Sequence, residues 1–352
     1  MCYISCLAFT LNYGQQAHRF RAAYKIVEDA IAARAFPAAS VAVLYRDELI
    51  ALRGFGRQTY DPSAPAVTAE TIFDLASVSK VVATTTMAAI LCERNKLDLD
   101  DAVPGRDDLT IRGLLTHTSG LPAYIKLFEQ TRDREELLKL AFATPLEVAA
   151  GTRTEYSDIG FIILGNVLER VAGESLDGFC QREIFQPLEL RDTQFTPPSE
   201  LIFKIAPTRD DHYFRNKLIQ GEVNDENAWV MNGVAGHAGV FSTAYDIAMF
   251  AECWLAGGAP LLTPGIVAEF TRQQDGSTRA LGWDRPTPPS SSGKYFSASS
   301  FGHLGYTGTS LWCDPEKQLA VVLLTNRTWP DASNQAIKQI RPAFHDAIVE
   351  AL

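Results

Sequence analysis

Two hairpin signals stand near opposite ends of the chain, each beside a helical segment, and a helix-dominated stretch separates them. Near the N-terminus, residues 17–34 carry Phe20, Tyr24, Val27 and Ile31 at helical spacing, and Phe36-Pro37 closes that pattern. The β-prone runs 39–45 and 49–55 then flank Arg46-Asp47-Glu48. Near the C-terminus, runs 309–314 and 318–325 flank Asp314-Pro315-Glu316-Lys317, and a final helix is expected over 332–351. Between them the pattern predicts helices over 78–94, 132–143, 160–172 and 176–185, and a short one within 109–122, ended by Gly120 with Pro122 behind it. Such an order predicts an α/β (α+β) fold. The two ends join in one antiparallel β-sheet carrying the terminal helices, and the mostly helical middle is an inserted region. The chain divides into a lead-in of residues 1–16 and a single domain of residues 17–352. Its sheet part spans about 17–80 and 235–352, its helical part about 81–234. A cleft between the two parts is the natural ligand site.

Composition narrows the function. At 352 residues, 46% hydrophobic and 21% charged, the chain reads as a globular protein with a large core. A formal charge of −10 with no basic block argues against nucleic acid and anionic membranes as partners, and no apolar run reaches the length of a membrane span. The six cysteines show no C-x-x-C spacing and the six histidines no H-x-x-x-H pair, so neither a metal, a cofactor nor a disulfide framework is expected. The N-terminus is mildly apolar without an early Lys or Arg, a poor secretory signal that leaves extracytoplasmic and cytoplasmic placement both open. Oligomeric state is open as well.

Three short stretches carry chemistry. Ser77-Val-Ser-Lys80 is an S-x-x-K pair where an apolar run gives way to a helix, so the two side chains share one helical face. A serine hydroxyl needs a neighbour to take its proton, and a lysine does so only when its pKa falls from the free value of about 10.4. Taken alone, the pair reads more readily as an N-cap serine with a surface lysine, and the rest of the chain has to overturn that. Thr154-Glu-Tyr-Ser-Asp158 places a tyrosine at a helix entrance, where it is either a second proton-handling group or a half-buried aromatic before a cap. In Phe301-Gly-His-Leu-Gly-Tyr-Thr-Gly-Thr309, three glycines let an edge strand approach a ligand and offer N–H groups to an oxyanion.

Ser77-Val-Ser-Lys80, Tyr156-Ser-Asp158 and His303-Leu-Gly305 occur in the order of the S-x-x-K, Y-x-N and K/H-x-G motifs. In this the chain resembles the serine β-lactamase and penicillin-binding-protein superfamily. The nearest branch holds class C β-lactamases, D-Ala-D-Ala carboxypeptidases and related esterases. Leu114–Pro122, Gly239–Thr243 and Thr307–Trp312 also match, and the likeness runs from about Ile26 to Asn326. It implies a β-lactamase/transpeptidase-like fold, with Ser77 as acylated nucleophile and Lys80 as its activator. Tyr156 would be the general base and later the acid for the leaving group, with the order between Lys80 and Tyr156 left open. The backbone N–H groups of Ser77 and Tyr306 would form the oxyanion hole, commonly worth about 2.7–4 kcal/mol per donor. Asp158, His303 and Gly305 would contact substrate.

Two positions depart from that pattern. Asp158 stands where many members have Asn, and His303 replaces the lysine that recognises a substrate carboxylate in β-lactamases and carboxypeptidases. Strong β-lactamase activity is therefore not expected, and esterase-like and amidase-like relatives often carry His here. Ile205–Thr208, Gly221–Ala228 and Gly233–Gly239 resemble a subgroup of cell-wall hydrolases, a muropeptide amidase and a carboxypeptidase-like protein among them, although Asn224 stands where that subgroup usually has His. Gly221–Ala228 reads either as a capped acidic loop or as a cleft wall, and His237 reads as structural. The expected function is a serine hydrolase forming an acyl-enzyme on an amide or peptide bond of a peptidoglycan-derived substrate. A carboxylesterase and a sensor protein that acylates without turnover are the alternatives, and the partner in each case is a small molecule or muropeptide.

Overall fold

The computed structural model describes residues 9–352; the first eight residues of the expected lead-in, with Cys2 and Cys6, lie outside them. Helix α1 (Arg21–Ala32) buries Ala23, Tyr24, Val27 and Ala30, the face that the spacing predicts. Strands β2 (Ala38–Tyr45) and β3 (Glu48–Gly56) form the first hairpin, closed by Arg46 and Asp47 at φ +51° and +61°. Two successive left-handed residues make the tight turn that a right-twisted hairpin favours. Strands β4 (Phe301–Leu304), β5 (Ser310–Asp314) and β6 (Leu319–Thr325) supply the other half. Strand β6 pairs antiparallel with β2 over its whole length, Leu319 opposite Tyr45 and Thr325 opposite Ala39. The two ends of the chain thus meet in one sheet of order β3-β2-β6-β5-β4. The short β1 (Thr10–Leu11) adds a parallel edge to β3, so the sheet is mixed rather than purely antiparallel.

Two hydrophobic clusters sandwich the sheet. On one face α1 and the terminal helix α6 (Ile337–Glu350) pack Tyr24, Val27, Phe344 and Ile348 against Val41, Val43, Trp312 and Val321. On the other, the larger cluster runs from Ala42, Val322 and Leu324 into the helical region through α2 (Thr86–Glu93), α3 (Asp158–Ala172) and α5 (Ala244–Leu255). Helix α4 (Glu226–Val230) lies between α3 and α5 in the chain.

Several expected helices are shorter or less regular than their patterns: that over 17–34 is broken at Phe20, and that over 176–185 passes from α to π turns at Gln181. Residues 78–94 form a 3₁₀ turn at Ala76–Val78, wide π turns at Lys80–Thr85, and α-helix only from Thr86. Lys80 and Thr84 bond outward to the carbonyls of His237 and Gly236, and π turns commonly mark such functional stretches. Within 109–122 only Ile111–Leu115 is helical: Leu109 and Thr110 belong to a strand, and the Thr110 side chain caps the helix through the Gly113 amide. Helix α6 begins at Ile337, five residues later than its pattern predicts.

Candidate active site

Phe73–Asp74 is a two-residue strand gripped by Ser242 and Phe241, and it feeds the chain into a tight turn. Ala76 sits at φ +47°, a conformation that costs an L-residue energy, with its amide tied to Asp74 Oδ1 at 2.8 Å. This strained turn presents Ser77. Lys80 is fully buried on the same side and donates to Ser77 Oγ (2.9 Å), Asp158 Oδ1 (2.6 Å) and the His237 carbonyl (3.0 Å). All three hydrogens of an ammonium are thereby used. Burial pushes the Lys80 pKa down, but Asp158 and Tyr156 together push it up by more, so its net shift is upward. The lowered lysine required by the sequence argument is thus corrected: a carboxylate beside Lys80 favours the cation.

Tyr156 reaches this pair from the segment before α3. His117, left-handed at φ +57°, accepts the Ser157 amide on Nδ1 at 3.0 Å and the Glu155 amide on its carbonyl at 2.8 Å. Its ring lies 4.5 Å from that of Tyr156 and 5.1 Å from that of Phe161. Burial, then the charges of Arg279, Lys80 and His303, hold His117 well below its usual pKa, so the neutral ring can accept that amide. Burial also raises the Tyr156 phenol, against the opposing pull of Lys80, which keeps it neutral around pH 7.

The edge strand β4 brings His303 and Gly305 to the same place. A Cβ on Gly305 would lie 2.4 Å from the Leu75 carbonyl oxygen and 2.0 Å from Thr309 Oγ1, so only glycine fits there. Thr307 and Thr309 donate to the carbonyls of Asp74 and Leu75 at 2.7 and 2.8 Å, stitching this loop to the Ser77 turn. Among the described residues, the amides of Ser77 and Tyr306 have no hydrogen-bond acceptor. His303 is buried beside Tyr156, its Nδ1 on the Leu304 carbonyl at 2.8 Å. Burial first, then Arg279 and Lys80, depress its pKa well below the usual histidine value, so it supplies no cation at neutral pH.

Ser77, Tyr156, Asp158, His303, Gly305 and Tyr306 all line one cavity of about 860 Å³, with Lys80 buried directly behind Ser77. The structure adds residues that sequence reasoning did not select. His237 is structural in being buried, yet it also borders the cavity, and its Nε2 lies 2.7 Å from Asp225 Oδ1. Gly236 permits this, since a Cβ there would meet the Phe161 carbonyl at 2.1 Å. Both readings of Gly221–Ala228 hold: Asp225 caps α4 through the Ala228 amide, and Asn224, Asp225 and Glu226 form cavity wall. Arg279, with Nη1 3.2 Å from Asp284 and its guanidinium 5.5 Å from the centre of the Tyr156 ring, borders the cavity from a loop with no sequence signal. His117 had one, since it stands in the Leu114–Pro122 match.

Comparison with known proteins agrees with this geometry. A family profile described as Beta-lactamase matches residues 24–342. A protein of Salmonella agona (strain SL483), named "Putative D-alanyl-D-alanine carboxypeptidase", is 31% identical over 353 aligned positions, covering 86% of this chain and 81% of that protein. Among solved structures, EstCE1, "a hydrolase with promiscuous acyltransferase activity", superposes with a TM-score of 0.78 at 21% identity, covering 95% of this chain and 99% of that one. The octameric penicillin-binding protein homologue from Pyrococcus abyssi gives 0.73 at 19%, covering 94% and 77%. At these identities the solved structures show the shared fold.

Proposed function

The chain belongs to the β-lactamase family of serine hydrolases, and from that premise we propose that it cleaves an amide or peptide bond of a peptidoglycan-derived peptide through an acyl-enzyme on Ser77. The observation that carries the reading is the continuous chain Ser77 Oγ–Lys80 Nζ–Asp158 Oδ1, with steps of 2.9 and 2.6 Å, at a cavity with room for a peptide. The carboxypeptidase name of the 31%-identical relative supports a peptide as the substrate.

In this proposal Lys80, a cation at rest, passes one proton to Asp158 Oδ1 and takes the hydroxyl proton of Ser77. Ser77 Oγ bonds to the substrate carbonyl carbon, and the amides of Ser77 and Tyr306 receive the oxyanion. Collapse breaks the C–N bond as Tyr156 gives its proton to the departing nitrogen. Lys80 reprotonates Tyr156 and recovers its own proton from Asp158, so the net transfer is from Ser77 to the leaving amine. Water then cleaves the ester by the same route in reverse.

One observation favours a second reading. His303 is held neutral, so the lysine-like cation for a substrate carboxylate is missing at that position, as suits a carboxylesterase. Mass spectrometry of a muropeptide digest incubated with the protein and with Ser77→Ala decides between them. Ser77-dependent loss of a terminal D-alanine means carboxypeptidase, and release of the whole peptide from the sugar means amidase. An unchanged digest, with short acyl esters hydrolysed, overturns the peptide reading. Multiple turnovers per protein exclude a sensor that stays acylated.

A further inference from the structure

The carboxylates on the cavity wall already have partners. Asp158 is tied to Lys80, Asp225 to His237, Glu226 to Arg209 and Asp284 to Arg279. Asn224, on the same wall, is different: it is only 3% exposed, yet its hydrogen bonds are made by its backbone. The amide donates to Asp74 Oδ2 at 2.6 Å, and the carbonyl accepts from Arg215 Nη2 at 2.8 Å. Among the described residues its side chain bonds to nothing. Oδ1 is buried without a donor, which leaves Nδ2 as the end available to a ligand.

A buried carboxamide without partners gives up its hydration for nothing in return, and folded proteins rarely keep one. This one is held in a particular place. Asp74 takes the Asn224 amide on one oxygen and the Ala76 amide on the other, so Asn224 stands one carboxylate away from the turn that carries Ser77. With the backbone fixed on both sides, the carboxamide has only its own torsions left to adjust to a ligand. Its neighbours on the wall cannot do the same work. Asp158 and Asp225 are carboxylates that accept only, so neither can donate to a substrate carbonyl.

We propose that Asn224 is a specificity-determining residue, whose carboxamide donates to the carbonyl oxygen of an amide group in the acyl part of the substrate. The acyl group that Ser77 receives is then an N-acylated amino acid and not a plain hydrocarbon chain. This names the substrate class for the acyl-enzyme reading, on which it rests.

The test measures kcat/KM for two thioesters, N-acetyl-D-alanyl and 2-methylpentanoyl, which match in length and branching and differ in the amide. The wild type should favour the N-acetyl substrate, and Asn224→Leu should lower that preference by about tenfold or more. Asn224→Gln keeps the donor and should restore part of it. Because the carboxamide bonds to nothing in the protein, Asn224→Leu should not lower the melting temperature. A preference that survives Asn224→Leu, a wild type without preference, or a protein that hydrolyses neither thioester overturns the proposal. So does a variant that loses turnover of both thioesters equally, since that marks a support of the Ser77 turn. An Asn224-dependent preference whose turnover survives Ser77→Ala keeps the amide site and sinks the acyl-enzyme reading.

Discussion

Lys80 Nζ and Asp158 Oδ1 lie 2.6 Å apart, and the lysine of this pair is fully buried behind Ser77. Where a relative has Asn at this position, its lysine has a neutral neighbour. Here the neighbour is a carboxylate, which raises the lysine pKa and offers a place for its proton.

Asp158→Asn separates two mechanisms by the sign of a shift. If Lys80 hands its proton to Asp158 during attack, the variant loses that acceptor and must wait for Lys80 itself to deprotonate. Its kcat/KM at pH 7 then falls by about 10–100-fold and the acidic limb moves to higher pH. If Lys80 has only to be neutral, removing the carboxylate lowers its pKa and the limb moves to lower pH. A pH–rate profile of both proteins reads the direction.

His117→Ala removes the acceptor of the Ser157 amide and the tilted ring packed against Tyr156. An orphaned buried amide costs about 1–3 kcal/mol, so the melting temperature drops. Because Tyr156 loses its support rather than any contact with substrate, kcat falls more than KM rises. Thermal denaturation and steady-state kinetics on one substrate check both halves.

Gly305→Ala drives a methyl group to 2.4 Å from the Leu75 carbonyl oxygen, so the loop after β4 has to retreat from the Ser77 turn. If the Tyr306 amide receives the oxyanion, its displacement lowers kcat by about 100-fold or more. Circular dichroism that stays native while activity collapses is the expected outcome.

Glu252 lies against the sheet on α5, and burial first, then Asp47, raises its pKa to about 7. A carboxyl raised above its unfolded value contributes stability that is complete below about pH 4.5 and is lost as pH rises through about 7. Glu252→Gln should therefore stabilise the protein at pH 8 by about 1–3 kcal/mol and change little at pH 4. Denaturant melts at the two pH values measure the difference.

Local signals were reliable where chemistry and backbone geometry coincide in sequence. Ser77 and Lys80 are three residues apart, and helical geometry alone brings them together. Gly305 was legible because a close backbone approach demands glycine. The hairpin at Arg46-Asp47 was legible because β-prone runs on either side of a polar turn have few other solutions. The same local reasoning overextended the helix over residues 78–94, since it could not see the loop carbonyls of Gly236 and His237 that draw Lys80 and Thr84 outward.

His237, Asp225 and Arg279 show the other limit. Each is unremarkable beside its sequence neighbours and reaches the cavity from a different element, so its role depends on distances that no spacing rule encodes. By itself the sequence determined the elements, the sheet built from both ends of the chain, and the three motif stretches, because periodicity, turn chemistry and short-range geometry are local. The tertiary structure alone decided the charge on Lys80 and the neutrality of His303. A group's charge inside a protein is set by burial and by the charges folded against it, and those arise only when distant segments meet.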